Sequence, residues 1–125
     1  MNPAIYEGRP RILLVEDDGL IGSLLAEILI DLGYDVCETV TTEGGAVAAA
    51  SRHQPDLMVV DLQLVHGNGI SAMQTILRTT AMRHIYMTGV ASPTLPETEI
   101  VLRKPFGAGE LARALQLAFA SPPTP

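Results

Sequence analysis

The chain has 125 residues, 47% of them apolar, and a formal charge of −6, enough for one buried core and too little for two. The acidic balance argues against the basic face that sequence-independent nucleic-acid binding needs, and no apolar run reaches the ~20 residues that span a bilayer. Residues 1–10 hold no apolar segment typical of a secretory leader, and the lone Cys37 cannot close an internal disulfide, so a soluble protein in a reducing, cytoplasmic compartment is expected.

Pro3 and Pro10 predict an irregular N-terminal segment over 1–10, and Pro122, Pro123 and Pro125 predict a tail or linker stub over 121–125, leaving one folded domain over 11–120. Within it, Arg11 to Val15 is a continuous apolar run, as in a strand buried on both faces. Leu20, Ile21, Leu24, Leu25, Ile28, Leu29 and Leu32 recur at helical spacing, with Asp18 as N-cap and Gly33 as stop. Tyr34 to Val40 reads as a second strand, Glu43 to His53 as a helix ended before Pro55, and Leu57 to Asp61 as a third strand. Ile70 to Arg78 reads as a helix, His84 to Thr88 and Glu99 to Arg103 as strands, and Ala108 to Ala120 as the last helix. Alternating short strands and helices predict an α/β fold with a parallel sheet covered on both faces. Such open sheets bind ligands at the carboxyl ends of their strands.

Those ends carry the chemistry. The first strand runs into Glu16, Asp17 and Asp18, the third ends at Asp61, the fourth at Thr88, and the fifth runs into Lys104, the chain's single lysine. Three carboxylates gathered at Glu16, Asp17 and Asp61 would repel one another, which makes a divalent cation their natural companion. Oxygen ligands without Cys or His suit Mg2+ rather than zinc. A carboxylate at Asp61 can attack phosphorus to give an acyl phosphate, with Lys104 on the phosphoryl oxygens or on Asp61 and Thr88 donating to the transferred group. Any one of these residues has an ordinary reading. Glu16-Asp17-Asp18 by itself is a solvated loop or helix cap, Asp61 a turn starter, Thr88 a strand residue and Lys104 a surface charge. The ordered set carries the functional reading. Asp18 is read mainly as a cap, His66 as a loop residue, Cys37 as a small buried group, and Met58, Met73, Met82 and Met87 as core.

In that ordered set, Val15-Glu16-Asp17-Asp18, Asp61 after an apolar strand, Met87-Thr88-Gly89 and Lys104-Pro105-Phe106, the chain resembles the receiver domain of two-component response regulators, the CheY-like family. The resemblance spans roughly 11–120 and implies a doubly wound, flavodoxin-like sheet of five parallel strands in the order 2-1-3-4-5. It implies Asp61 as phosphoacceptor, Asp17 as direct Mg2+ ligand, Glu16 acting through water, and Gln63 offering a backbone carbonyl to the metal. Thr88 becomes the switch hydroxyl, Lys104 the phosphate-contacting lysine, and the Lys104–Pro105 bond is often cis in the family. The implied partner is a histidine kinase or phosphotransfer protein, and the implied behaviour is self-catalysed phosphoryl transfer and autodephosphorylation rather than turnover of a substrate.

Two positions depart from the family pattern. Val101 stands where an aromatic usually reports movement of the threonine. The stretch from Thr88 to Lys104 is short and holds Pro93 and Pro96, so the fourth helix of the fold is expected to be short or missing. Both features resemble the FAT GUY stand-alone receivers associated with HWE-type kinases, although Val90 replaces their Tyr after Thr-Gly. Three functions compete. The first is a receiver in a phosphorelay that switches protein–protein contacts or acts as a phosphate sink. The second is a receiver-like interaction module that no longer switches. The third is a small Mg2+-dependent phosphohydrolase, disfavoured because Gln63 stands where such enzymes commonly carry a second Asp.

Overall fold

The computed structural model describes residues 8–90 and 94–123. Its elements follow the order β1 (Arg11–Val15), α1 (Gly19–Asp31), β2 (Asp35–Val40), α2 (Glu43–His53), β3 (Leu57–Asp61), α3 (Gly69–Leu77), β4 (Arg83–Thr88), β5 (Val101–Arg103) and α4 (Ala108–Ala120). The five strands form one sheet in the order β2-β1-β3-β4-β5, and every neighbouring pair is parallel. This is the doubly wound flavodoxin-like arrangement that the alternation of elements predicts.

Side chains alternate across the strands and divide the core in two. Leu13, Val15, Met58, Val60 and Tyr86 pack with Ala46, Ala49, Ala72 and Met73 of α2 and α3. Ile12, Leu14, Leu57, Val59, Ile85 and Met87 pack on the other face with Leu25 and Leu29 of α1 and Leu111 and Leu115 of α4. β3 is buried at all five positions, as a central strand covered on both sides must be.

Local signals set the boundaries. Asp18 caps α1 by accepting the Ile21 N–H at 3.0 Å, and Gly33 follows it at φ 104°, a left-handed conformation that glycine adopts without strain. Thr42 and Asn68 cap α2 and α3 through the Gly45 and Ser71 N–H groups. Not every leucine in the α1 pattern is covered, since Leu20 is 72% and Leu24 52% exposed. Met58, Met73, Met82 and Met87 are buried as expected. Cys37 is only half-buried, and its thiol donates to the Ile12 carbonyl.

Between β4 and β5 the described residues contain no helix; of the predicted proline-interrupted stretch, Ala91, Ser92 and Pro93 lie outside the described residues. β5 is shorter than its sequence suggests: the Glu99 N–H closes a turn onto the Pro96 carbonyl at 3.0 Å, and the Glu99 side chain meets the buried His84. Its Oε1 lies 2.9 Å from His84 Nε2, while His84 Nδ1 faces the Met82 carbonyl at 3.0 Å. Among the predicted ends, 1–7 and 124–125 also lie outside the described residues. No described helix is long and apolar enough to cross a membrane.

Candidate functional site

The strand register brings the chemistry together. Val15 pairs with Val60, and Asp61 with Met87, so Glu16 emerges level with Asp61. Thr88 pairs with Arg103, so Lys104 leaves β5 one step beyond Thr88. Four strands thus deliver one functional group each to the same edge of the sheet, the edge that ligands use in this topology.

Lys104 sits at the centre. Its ammonium donates to Asp61 Oδ2 at 2.6 Å and to Glu16 Oε1 at 2.6 Å. Glu16 is 1% and Asp61 4% exposed, so both carboxylates are held out of water and depend on such partners. Glu16 continues the ladder beyond β1 by donating its N–H to the Val40 carbonyl at 3.0 Å, and its second carboxylate oxygen accepts the Asp18 N–H. Burial pushes the Glu16 carboxyl above the ordinary carboxylate range, outweighing the Lys104 ammonium and the Asp18 N–H, with the Asp61 charge adding to the rise. At Lys104 burial acts downward, yet the hydrogen bonds to Asp61 and Glu16 prevail and hold the ammonium above its ordinary value. Withdrawal from water thus governs Glu16, while the paired carboxylates govern Lys104.

Asp61 also accepts the Gln63 N–H at 3.0 Å through Oδ1, and Asp17 accepts the Val65 N–H at 2.6 Å. The loop after β3 is therefore tied to two of the three acids. Thr88, 1% exposed, accepts the Val90 N–H at 3.1 Å and lies 3.4 Å from Gln63 Oε1. All six predicted site residues, Glu16, Asp17, Asp61, Gln63, Thr88 and Lys104, meet at this one edge. The Lys104–Pro105 bond is cis.

One carboxylate oxygen each from Glu16, Asp17 and Asp61 lies within 4.8 Å of the others. An all-oxygen, anionic donor set of this radius suits a hard cation that keeps several waters, and Mg2+ fits that description. Lys104 shares two of the same carboxylates, so a cation bound there would draw on the same pool of negative charge as the ammonium.

Two contributors are not evident from residue type and pattern. Gly69 opens α3 under the Asp61 carbonyl, and a β-carbon there would run into that oxygen and lie 2.8 Å from Val60 Cγ1. Its place as a loop glycine is visible in the sequence, but its closeness to Asp61 comes from the chain doubling back. Glu43, the first residue of α2, accepts the Asn68 N–H at 3.0 Å and the Ser71 hydroxyl at 2.6 Å. An acid in a first helical turn reads simply as complementing the helix dipole, and no local pattern announces these partners.

Known proteins resemble the chain in the same terms. Residues 12–116 match the model of the response regulator receiver domain. The transcriptional regulatory protein PdtaR of Mycobacterium tuberculosis is 31% identical over 86% of this chain and 56% of its own length. The KDP operon transcriptional regulatory protein KdpE of Escherichia coli is 32% identical over 86% of this chain and 50% of its own. The chain thus spans about half the length of these curated relatives. Among solved structures, the receiver domain of Erythrobacter litoralis PhyR superposes with a TM-score of 0.84 at 27% identity, covering 94% of this chain and 95% of that one. With fold, register and comparisons in agreement, the chain belongs to the response regulator receiver family of two-component systems, a signalling domain rather than a conventional enzyme.

Proposed function

We propose that the domain takes a phosphoryl group onto Asp61 from the phosphohistidine of a kinase or phosphotransfer protein and uses the charge to change its protein contacts. The observation that carries this reading is the Lys104 ammonium held 2.6 Å from both Asp61 and Glu16 beside the Asp17 carboxylate. A carboxylate oxygen of Asp61 forms the new O–P bond as the donor's N–P bond breaks, and the departing imidazole keeps that electron pair and takes up a proton. Glu16, Asp17, Asp61 and the Gln63 backbone carbonyl are the groups that would hold Mg2+, which neutralises charge on the transferring phosphoryl group. Lys104 orients Asp61 and compensates the added charge at the equatorial oxygens. Thr88, one rung away, supplies a hydroxyl for the same oxygens and carries the change into the Gly89–Val90 turn. Loss of the phosphoryl group by hydrolysis resets Asp61. A cytoplasmic setting and a protein rather than nucleic-acid target accord with the acidic charge, and service as a phosphate sink uses the same chemistry.

The test is intact mass after incubation with acetyl phosphate and Mg2+, with Asp61→Asn and a metal-free sample as controls. One added phosphoryl group that requires both Asp61 and metal is the expected result. Equal labelling of Asp61→Asn would overturn the acceptor assignment. Val101 and the helix-free described part of the β4–β5 connection favour a second reading, a receiver-like module that binds partners without switching. It predicts partner binding indifferent to Asp61→Asn and to Mg2+.

A further inference from the structure

The loop from Leu62 to Asn68 separates Asp61 from α3, and three acids from separate parts of the chain hold it. Asp61 takes the Gln63 N–H and Asp17 the Val65 N–H. The third, Glu43, lies on α2. It takes the Asn68 N–H at 3.0 Å and the Ser71 hydroxyl at 2.6 Å, while its own N–H donates to the His66 carbonyl at 3.1 Å. Gly67 turns the loop at φ 92°, and a β-carbon there would collide with the Glu43 side chain. The loop is thus packed onto Glu43 on one side and onto the acidic centre on the other, with Gln63 and Asn68 bridged across its base.

We propose that Glu43 is a positioning residue for the acidic centre: by fixing the Leu62–Asn68 loop from α2, it sets the Val65 N–H against Asp17 and the Gln63 backbone beside Asp61. Among the described residues Glu43 makes no hydrogen bond or ion pair to Glu16, Asp17, Asp61 or Lys104. Its effect passes through the loop, so α2 and the acidic centre are coupled in both directions. An event that draws Asp17 away from Val65 loosens the same loop that Glu43 grips.

The experiment has two arms, and only the second rests on the function proposed above. In the first, amide hydrogen exchange is followed residue by residue in metal-free protein, comparing the parent with Glu43→Ala and Glu43→Gln. Val65 is the informative amide, because its partner is Asp17 and not Glu43. Exchange at Val65 is expected to quicken about tenfold in Glu43→Ala and to stay near the parent rate in Glu43→Gln, whose amide oxygen still accepts the Asn68 N–H. In the second arm Mg2+ alone is titrated and followed by amide shifts. Glu43→Ala is expected to bind about tenfold more weakly, and Glu43→Gln to restore most of the affinity, which separates positioning from the loss of a nearby negative charge. Should Glu43→Ala fail to fold, Ser71→Ala removes the hydroxyl that orients Glu43 and is expected to quicken Val65 exchange in the same direction. Unchanged Val65 exchange in a folded Glu43→Ala or Ser71→Ala would overturn the proposal. A parent protein that shows no Mg2+ binding would overturn the reading of the acidic centre, with the exchange arm still deciding the role of Glu43.

Discussion

Lys104 donates its backbone N–H to the Thr88 carbonyl at 2.8 Å, a hydrogen-bond rung one residue beyond the Thr88–Arg103 pair that ends the β4–β5 register. Their side chains diverge from that rung, the ammonium toward Glu16 and Asp61 and the hydroxyl toward the Gly89–Val90 turn. Movement at one strand end therefore reaches the other through the backbone itself. An aromatic does lie nearby, but on β4: Tyr86 pairs with Val101 and is buried. Burial, with the Glu99 charge adding, pushes its hydroxyl pKa up to about 12.

Removing the lysine leaves two nearly buried carboxylates facing each other. Lys104→Ala is expected to lower stability by about 3 kcal/mol in metal-free buffer, as when one partner of a buried ion pair is removed. Urea denaturation measures this directly. Saturating Mg2+ is expected to return part of the loss, because a cation that binds only the folded state adds to its stability.

Glu16 gives a signature with pH. Its folded-state pKa is raised above the ordinary 4.5, burial being the largest cause. In the window that begins at the unfolded value and ends at the raised one, the folded state holds the proton more tightly. Stability from this group is therefore full below the window and lost as pH rises through it. Glu16→Gln has no such window, so the metal-free stability difference between variant and parent is expected to grow from pH 4.5 upward and then level off. Denaturation curves at successive pH values read this, and a flat difference would remove burial as the dominant influence on Glu16.

Gly69→Ala tests the close approach beneath Asp61. The added methyl meets backbone and not a flexible side-chain end, so the start of α3 or the Asp61 carbonyl must shift. A loss of about 1–3 kcal/mol is expected, together with displaced resonances at Asp61, Leu62 and Gln63. A variant as stable as the parent with unmoved resonances would show that the helix start yields without effort.

Thr88→Ala removes the acceptor for the Val90 N–H and is expected to cost about 1 kcal/mol. Labelling of Asp61 by acetyl phosphate should persist, while the phosphorylation-dependent shifts at Gly89 and Val90 should vanish. Thr88→Ser, which keeps the hydroxyl, should restore them.

The fold was legible because apolar runs, caps and glycine or proline punctuation agree along the chain. Asp18 and Gly33 mark the two ends of α1, and the backbone respects both. The acidic edge was legible because parallel strands place their ends together whatever lies between them. What escaped depended on contacts remote in sequence. Glu99 looks like the start of a strand, yet its N–H closes a turn onto Pro96 and its carboxylate meets His84, and Glu43 looks like a helix-dipole residue until the loop folds onto it. Leu20 and Leu24 share the periodicity of Leu25 and Leu29, yet an apolar stripe wider than the sheet can cover leaves its outer members in solvent.

β5 has three residues and ends the sheet; it is the shortest of the described strands and the one that delivers the ammonium. Edge segments of this kind can open while the rest of a fold stays closed. Fraying of that one strand would withdraw Lys104 from Glu16 and Asp61 together, since both contacts rest on it. The compensated pocket is thus held by the few ladder bonds of β5 as well as by its own ion pairs.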